Sequence, residues 1–202
     1  MIQEAAAEPG RRARKKAQTR QTIYQAATTL FLARGYDAVT VDDVCRAADV
    51  AKGTFFLHFP TKDALLAEYG RVATDELRDH LGAQRGSAVA ALRATLRFLA
   101  ARAEHQRELV HLTVRESMRR PAAMAQSTEQ GRTLGELLIA LVRRGQTAGE
   151  LRRGIVPEVA GAVLVGAYFA IVNAWATGEP PFDLTEAVDH ALKLVLQGLR
   201  KD

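Results

Sequence analysis

The chain has very little cysteine and no leader that resembles an export signal. Its one cysteine, Cys45, excludes an intramolecular disulfide and leaves too few thiolates for a structural zinc site. The first ten residues carry Glu4 and Glu8 and lack a long apolar core, unlike a secretory signal. A reducing compartment fits both observations, so we expect a cytoplasmic protein.

Catalytic motifs are also missing from the sequence. It contains no HExxH pair, no Gly-x-Ser-x-Gly turn, no phosphate-binding glycine-rich loop followed by lysine, and no cysteine in a catalytic setting. We therefore expect a protein that is not an enzyme and that carries neither a cofactor nor a metal. The sequence shows no strand pattern and no internal repeat, so the predicted fold class is all-α.

Acidic residues are absent from one short segment. The chain holds 28 basic and 23 acidic residues, a net charge of +5, and residues 11–20 contain six of the basic side chains and no acidic one. Residues 1–18 have almost no large apolar side chain, so we predict a flexible basic arm there. Such an arm is either a DNA contact or a solvated tail, and the sequence leaves both open.

Residues 19–66 contain the periodicities of short helices that need each other to be stable. Apolar positions recur every three or four residues from Thr19 until Gly35 ends the first helix. Thr40 and Asp43 predict a helix start that resembles a capping box. A third short helix is predicted over residues 52–59, and Thr61 is expected to cap a fourth.

The remaining chain, residues 67–202, predicts a larger helical domain. Glycine, proline or polar breaks divide it into further helices at about 87–103, 105–119, 122–147, 157–177 and 183–200. The stretch from Val159 to Trp175 approaches the lower length limit for a membrane span, but its small residues favour helix packing and no membrane contact is expected.

The segment from about residue 20 to residue 66 resembles the TetR family of helix-turn-helix regulators. Residues 39–44 read VTVDDV and residues 47–66 read AADVAKGTFFLHFPTKDALL, so many ordered positions agree at once. The resemblance implies a DNA-binding domain at 19–66 and a ligand-binding and dimerisation domain at 67–202. It implies a transcriptional repressor that binds palindromic double-stranded DNA as a homodimer and is released by a small molecule.

The resemblance also assigns DNA contacts. The positions that it places in the major groove are Lys52, Gly53, Thr54 and Phe56, and those that it places against phosphates are Thr40, His58 and Lys62. At Phe56 many relatives have tyrosine, so a hydroxyl for phosphate is missing, and Asp49 stands where glycine is usual in the turn. Taken alone, Thr54 and His58 would be interpreted as a helix cap and a solvated surface histidine.

Two helices near the C-terminus are candidates for contact between subunits. Small residues recur every four positions in the first of these helices, and the second has an apolar stripe. The expected dimer-interface residues are Ala162, Gly166, Ala170, Ala174, Val188, Leu192 and Val195. The alternative is that both helices complete the core of the single chain, because periodicity does not separate the two cases.

No motif marks an effector site. Polar and polarisable residues near apolar positions could line a cavity between helices, and the candidates are Arg97, His111, Arg115, Met118, Tyr168 and Asn173. The same mixture suits an ordinary amphipathic surface. A helical adaptor that does not bind DNA is the rival interpretation of the whole chain, but it gives no reason for the polar triplet at residues 52–54.

Overall fold

The computed structural model describes residues 10–81, 86–119, 121–178 and 182–199. Within these ranges the chain forms nine helices and no β-strand, which confirms the predicted all-α fold. The helices are α1 (Arg11–Arg34), α2 (Val41–Ala47), α3 (Lys52–His58), α4 (Ala64–Leu81), α5 (Ala88–His105), α6 (Arg107–Arg119), α7 (Pro121–Thr147), α8 (Pro157–Thr177) and α9 (Leu184–Leu199). They fall into two compact units, Met1–Leu65 and Leu66–Asp202, and each unit is described separately below.

The first helix begins earlier than the sequence predicts. The prediction starts it at Thr19, but α1 starts at Arg11, so the predicted flexible arm is wrong for residues 11–18. These residues are exposed, and they are mostly alanine, arginine, lysine and glutamine, which are strong helix formers. Intrinsic propensity thus extends α1 although this part has no apolar face. Residues 1–9 of the predicted arm lie outside the described residues.

The N-terminal unit is built around aromatic side chains from its first three helices. Its most deeply buried large residues are Ile23, Phe31, Tyr36, Val44, Phe55 and Phe59. The rings of Phe31 and Tyr36 lie 4.8 Å apart, and those of Phe55 and Phe59 lie 5.9 Å apart. Because α2 and α3 have only seven residues each, this shared core has to stabilise them.

Local signals set the ends of the short helices as predicted. The Thr40 hydroxyl accepts a hydrogen bond from the Asp43 amide at 3.1 Å, and the Asp43 carboxylate accepts one from the Thr40 amide at 3.0 Å, a reciprocal capping box. Hydrogen bonds that the Asp43 carboxylate accepts from the Thr40 hydroxyl and from the Thr40 amide lower the pKa of Asp43. Asp49 adopts a φ of 52° in the turn before α3. Glycine, which is usual at this position, adopts a positive φ without the steric cost that aspartate has.

The C-terminal unit has one continuous apolar core. Its large, fully enclosed side chains include Leu77, Leu92, Leu138, Leu164 and Leu184. Its helices match the predicted ones closely, and α8 keeps the bounds that the sequence predicts. Two carboxylates distant in sequence cap helix starts. Glu150, between α7 and α8, accepts from the amides of Ala88 and Val89 in α5, and Glu104 of α5 accepts from those of Leu184 and Thr185 in α9.

Close packing of α7 against α8 depends on a glycine. A Cβ on Gly161 would lie 2.4 Å from Cγ1 of Ile139, which is far inside van der Waals contact. Along the same pair of helices, a Cβ on Gly135 would lie 3.7 Å from a Val165 methyl, an ordinary contact. The two glycines therefore differ in function although they share an interface.

We predict opposite effects for alanine at these two glycines. Gly161→Ala overpacks the contact with Ile139 and should lower the free energy of unfolding by about 1 to 3 kcal/mol, reduced by the helix propensity of alanine. Gly135→Ala should leave it unchanged or raise it by up to about 1 kcal/mol. Urea unfolding of the full chain tests this, and equal destabilisation by both variants would contradict the α7–α8 packing.

Candidate functional site

The helix α3 has a buried side and an exposed side. Its inner side holds Phe55, which is completely buried, and Phe59 just beyond the helix end is buried as well. Its outer side exposes Phe56 and Leu57, whose exposed fractions are 46% and 72%. Two adjacent large apolar side chains on one short helix form a contiguous exposed apolar patch, and such patches are typical of contact surfaces. The outer side of α3 is therefore a candidate contact surface.

Three of the four residues expected in the major groove are exposed on α3, and the fourth, Thr54, is partly exposed. Lys52 lies 2.9 Å from the Asp42 carboxylate, a pairing between two exposed groups that a phosphate or base could replace. A Cβ on Gly53 would have no atom within 4 Å, so another molecule could approach the backbone there. Leu57, which the sequence analysis omitted, shares this surface with Phe56, and its position next to Phe56 in a helix was the available signal.

Thr40 is exposed, but its side chain already has a structural role. Its hydroxyl caps α2 and also lies 2.7 Å from the Asp43 carboxylate, to which it donates. A phosphate contact through this hydroxyl would have to replace that bond to Asp43. The expected contact therefore competes with the capping box.

His58 is the first correction among the residues expected to contact phosphates. The side chain is buried with 6% exposure, whereas the sequence suggested a surface position. Burial, followed by the nearby charges of Arg20 and Lys16, lowers the pKa of His58 and favours the neutral ring. The backbone carbonyl of His58 accepts a hydrogen bond from Arg20 at 2.5 Å. The structure thus corrects the expected surface position of His58, and its contact with a phosphate stays a prediction.

Lys62 is the second correction. Its ammonium group donates to the carbonyls of Tyr36 and Val39 at 2.9 Å each and lies 4.1 Å from the centre of the Tyr36 ring. The Tyr36 hydroxyl in turn donates to Asp63. These bonds fix the segment between α1 and α2 to the start of α4. Lys62 is thus a structural residue, and its three donors are largely used within the chain.

The basic segment of α1 gives the N-terminal unit a strong positive charge. Arg11, Arg12, Arg14, Lys15 and Lys16 are all exposed, and α1 contains no acidic residue along its whole length. Such a concentration of positive charge attracts polyanions and is sensitive to ionic strength. It adds an electrostatic component to the surface formed by α3.

Four of the six candidate effector residues lie on the outside of the C-terminal unit. Arg97 is exposed and pairs with Asp189 at 2.6 Å, and Arg115 is exposed and contacts Glu116 at 3.2 Å. Met118 is 58% exposed, and Asn173 is exposed too. The prediction that these four line an interior cavity is therefore wrong for the single chain. Their amphipathic helices place them on the solvent side.

The other two candidates lie inside. The His111 ring stands edge-on to Trp175, with 5.2 Å between the ring centres, and its Nε2 atom is buried with no hydrogen-bond partner in the part of the chain that the structure describes. Burial and the charge of Arg107 lower the pKa of His111. Tyr168 packs partly buried against the core, and burial raises its pKa.

Arg102 is a buried cation that the sequence analysis omitted. Its side chain is only 9% exposed, its Nε atom lies 2.5 Å from a Glu76 oxygen, and its guanidinium carbon lies 4.6 Å from the centre of the Tyr69 ring. Its position three residues after Leu99 and one before Ala103 on the apolar side of α5 was a signal for burial. In the same unit, residues of α5, α8 and α9 line a small, partly open apolar recess: Leu96, Leu164, Ala167, Tyr168, Ile171, Val188, Ala191, Leu192 and Val195.

The outer face of α8 is exposed and apolar. The four small residues predicted for a subunit contact, Ala162, Gly166, Ala170 and Ala174, are all exposed there. Larger apolar side chains stand beside them, and Val163 and Phe169 are 49% and 45% exposed. The helix is also long and apolar enough to cross a membrane, with a mean hydropathy of 1.8 over an 18-residue window of which 33% is buried.

For α9, the prediction of a subunit contact is wrong for two of its three residues. Val188 and Leu192 are each 2% exposed and belong to the core of the single chain, because the apolar stripe of α9 packs inward. Val195 is partly buried against the same core. The exposed apolar residue on α9 is Leu194, at 70%, which lies off the stripe. The alternative interpretation from the sequence thus applies to the stripe of α9.

Comparison with known proteins supports the division into two parts. Residues 23–69 match the family model described as "Bacterial regulatory proteins, tetR family". Residues 89–187 match the one described as "Tetracyclin repressor-like, C-terminal domain". The first model matches mainly the N-terminal unit, and the second matches the C-terminal unit. Together they cover most of the chain.

Individual relatives match along almost the whole chain. The transcriptional repressor BepR of Brucella suis is 25% identical over 91% of this chain and 93% of its own length. The repressor KstR2 of Rhodococcus jostii is 28% identical over 91% and 92%. The crystal structure of FadR from Thermus thermophilus in complex with lauroyl-CoA, a TetR family repressor, superposes with a TM-score of 0.72 at 31% identity over 91% and 96%.

We predict that the two lysines of the candidate DNA surface differ in their contribution to stability. Lys62→Met removes the donors to two backbone carbonyls and should lower the free energy of unfolding by about 1 to 3 kcal/mol. Lys52→Met removes only an exposed ion pair and should change it by less than about 0.5 kcal/mol. Thermal unfolding of both full-length variants measures this, and a fully stable Lys62→Met protein would return Lys62 to the list of free DNA contacts.

Proposed function

The chain belongs to the TetR family of bacterial regulatory proteins and is a DNA-binding transcriptional regulator, and we propose that it acts as a repressor whose dimer binds a palindromic operator. A small molecule bound by the C-terminal unit then releases it from DNA. The main support for this proposal is the exposed outer side of α3, whose inner side is fixed by the buried rings of Phe55 and Phe59. The fold needs no such exposed apolar and basic surface for its own stability.

The chemistry of this surface suits the major groove of duplex DNA. The groove is about 12 Å wide and admits one helix. The Lys52 ammonium can donate to O6 and N7 of guanine, and Gly53 permits a close approach of the backbone. Phe56 and Leu57 supply apolar contacts for a thymine methyl group. Thr54 adds a hydroxyl, and the basic segment of α1 adds attraction to phosphates that carries no sequence information.

A dimer would set the spacing between two copies of this surface. Two copies of α3 would read two half-sites about 34 Å apart on one side of the duplex, so the operator is expected to be palindromic. The exposed strip of small residues on α8 allows a second α8 to approach closely, and Val163, Phe169 and Leu194 add apolar area. We propose that a partner subunit covers this face, and not lipid.

The proposed release follows from the two states of such a dimer. A ligand that binds more tightly to a dimer whose α3 helices no longer match successive major grooves shifts the population away from DNA. A coupling free energy of about 1 to 3 kcal/mol corresponds to a change of about 5-fold to 150-fold in operator affinity. FadR of Thermus thermophilus was crystallised with lauroyl-CoA, which makes an amphipathic anion a reasonable class of effector to test.

Selection of bound duplexes from a random DNA pool at moderate salt tests the proposed function. We expect the unmodified chain to enrich a palindrome and the double variant Lys52→Ala, Thr54→Ala to lose it. Arg93→Ala, which removes an exposed cation from α5, should enrich the same palindrome. Absence of any enriched sequence, together with DNA binding that does not weaken with salt, would refute the regulator and favour a helical adaptor.

The dimer has its own test. A Cβ on Gly166 would have no atom within 4 Å. Gly166→Arg should therefore fold normally and place a charge in the proposed subunit contact. We expect this variant to sediment as a monomer and to lose most of its operator affinity. Ala101→Arg, at an exposed position of α5, should remain a dimer. An unchanged dimer of Gly166→Arg would rule out contact through this part of α8.

A further inference from the structure

The guanidinium group of Arg102 is only partly satisfied within the chain. Its Nε and Nη2 atoms face the Glu76 carboxylate, at 2.5 Å and 3.5 Å. Its Nη1 atom is buried and has no hydrogen-bond acceptor among the residues that the structure describes. Leaving the N–H groups of a buried cation without an acceptor is costly, so an acceptor from outside the chain would be strongly favoured here.

Two tyrosines surround this cation. Tyr69 lies beneath the guanidinium group, and burial raises the pKa of Tyr69 against the opposing effect of Arg102. Burial also raises the pKa of Tyr168, on which the charges of Tyr69 and Arg102 act as well. Both phenols therefore stay protonated at neutral pH and keep hydroxyl donors close to Arg102. Arg102 already pairs with Glu76, so the donors that the cluster can offer to an anionic oxygen group are the buried Nη1 atom and the two neutral hydroxyls.

A second buried polar atom belongs to His111 on α6, the next helix after the one that carries Arg102. Nε2 of His111 also has no hydrogen-bond partner within the described ranges, and its ring rests on Trp175. Because its pKa is lowered, the ring is neutral at physiological pH, and Nε2 can donate or accept one bond depending on the tautomer.

The inner face of α8 runs between the Arg102 cluster and His111. Tyr168 and Trp175 are seven residues apart, which is two helical turns or about 10.5 Å along the axis, so they lie on the same face. Ile171 and Val172 lie between them and provide an apolar path. A small apolar recess, lined in part by Tyr168 and Ile171, borders this path.

We propose that Arg102 binds the anionic head group, a carboxylate or a phosphate, of an amphipathic effector whose apolar part lies along the inner face of α8 towards His111. The Tyr69 and Tyr168 hydroxyls donate to the same head group, and His111 provides a second polar contact at the far end. The inference rests on the proposed function, since it names the chemical class of the molecule that releases the repressor.

Trp175 provides a direct readout of this site, because it is the only tryptophan of the chain and lies against His111. Dodecanoate, dodecyl phosphate and methyl dodecanoate are titrated into the full-length protein below the concentrations at which they form micelles. The ester has the same chain as dodecanoate but carries no charge. We expect at least one anion to change the Trp175 emission and to bind about tenfold or more tightly than the ester.

A comparison of the two anions identifies the head group, and either preference supports the anion site. Equal affinity for the ester and both anions, or no saturable change with any of the three, would overturn the proposal. This comparison uses the unmodified protein, so it stays decisive even if a variant fails to fold.

Variants assign the preference to Arg102. Arg102→Met should abolish the discrimination between anion and ester, and Arg102→Lys should retain part of it. Arg97→Met, which removes an exposed arginine from the same helix, should bind like the unmodified protein. Discrimination that survives in a folded Arg102→Met protein would overturn the role of Arg102.

Release of DNA is measured separately on the enriched palindrome. A tightly bound anion is expected to lower operator affinity at least about fivefold, the lower end of allosteric coupling. Binding seen at Trp175 without loss of operator affinity would overturn the effector assignment while the anion site stands. A chain that selects no DNA but still discriminates anion from ester would refute the proposed function alone.

Discussion

Burial of Phe55 and Phe59 in the N-terminal unit is the interaction on which the candidate DNA surface depends. A seven-residue helix is not stable in water by itself, and α3 has only seven residues. The two rings pack against each other, and the guanidinium carbon of Arg20 in α1 lies 4.3 Å from the centre of the Phe59 ring. The Lys62 ammonium fixes the neighbouring backbone. Because stability comes from the inner side, the outer side can carry Lys52, Gly53 and Phe56 without a structural role.

In the C-terminal unit, α8 serves two environments. Its inner face joins the core through Leu164 and Trp175, and Gly161 lets α7 approach closely. Its outer face consists of small and apolar residues that the single chain leaves exposed. One helix thus connects the proposed effector site on its inner face with the proposed subunit contact on its outer face, so a ligand that shifts α8 could act on the dimer directly.

The sequence predicted the features that depend on local signals. The Thr40–Asp43 capping box, the end of α1 at Gly35 and the bounds of α8 follow from caps and periodicity, and all are present. The predicted start of α1 was wrong, because an exposed segment of good helix formers continues a helix without any apolar face.

Functions of individual polar side chains were harder to predict. His58 is the last residue of the candidate DNA-binding helix, and Lys62 lies just beyond it. The burial of His58 and the two backbone carbonyls that accept from Lys62 depend on contacts distant in sequence. Val188 and Leu192 show the same limit, since periodicity identifies an apolar stripe but not the surface that covers it. Arg102 was missed because arginine is rarely buried, and its place within an apolar stripe does not show what covers it.

The most direct test of the account is a map of backbone amide chemical shifts for the full chain with and without its selected duplex. The account predicts that the largest changes lie in residues 52–57 of α3, with weaker changes in the basic start of α1. Changes confined to α1, with the amides of α3 unaffected, would mean that the chain binds DNA by charge alone and would contradict sequence reading by α3.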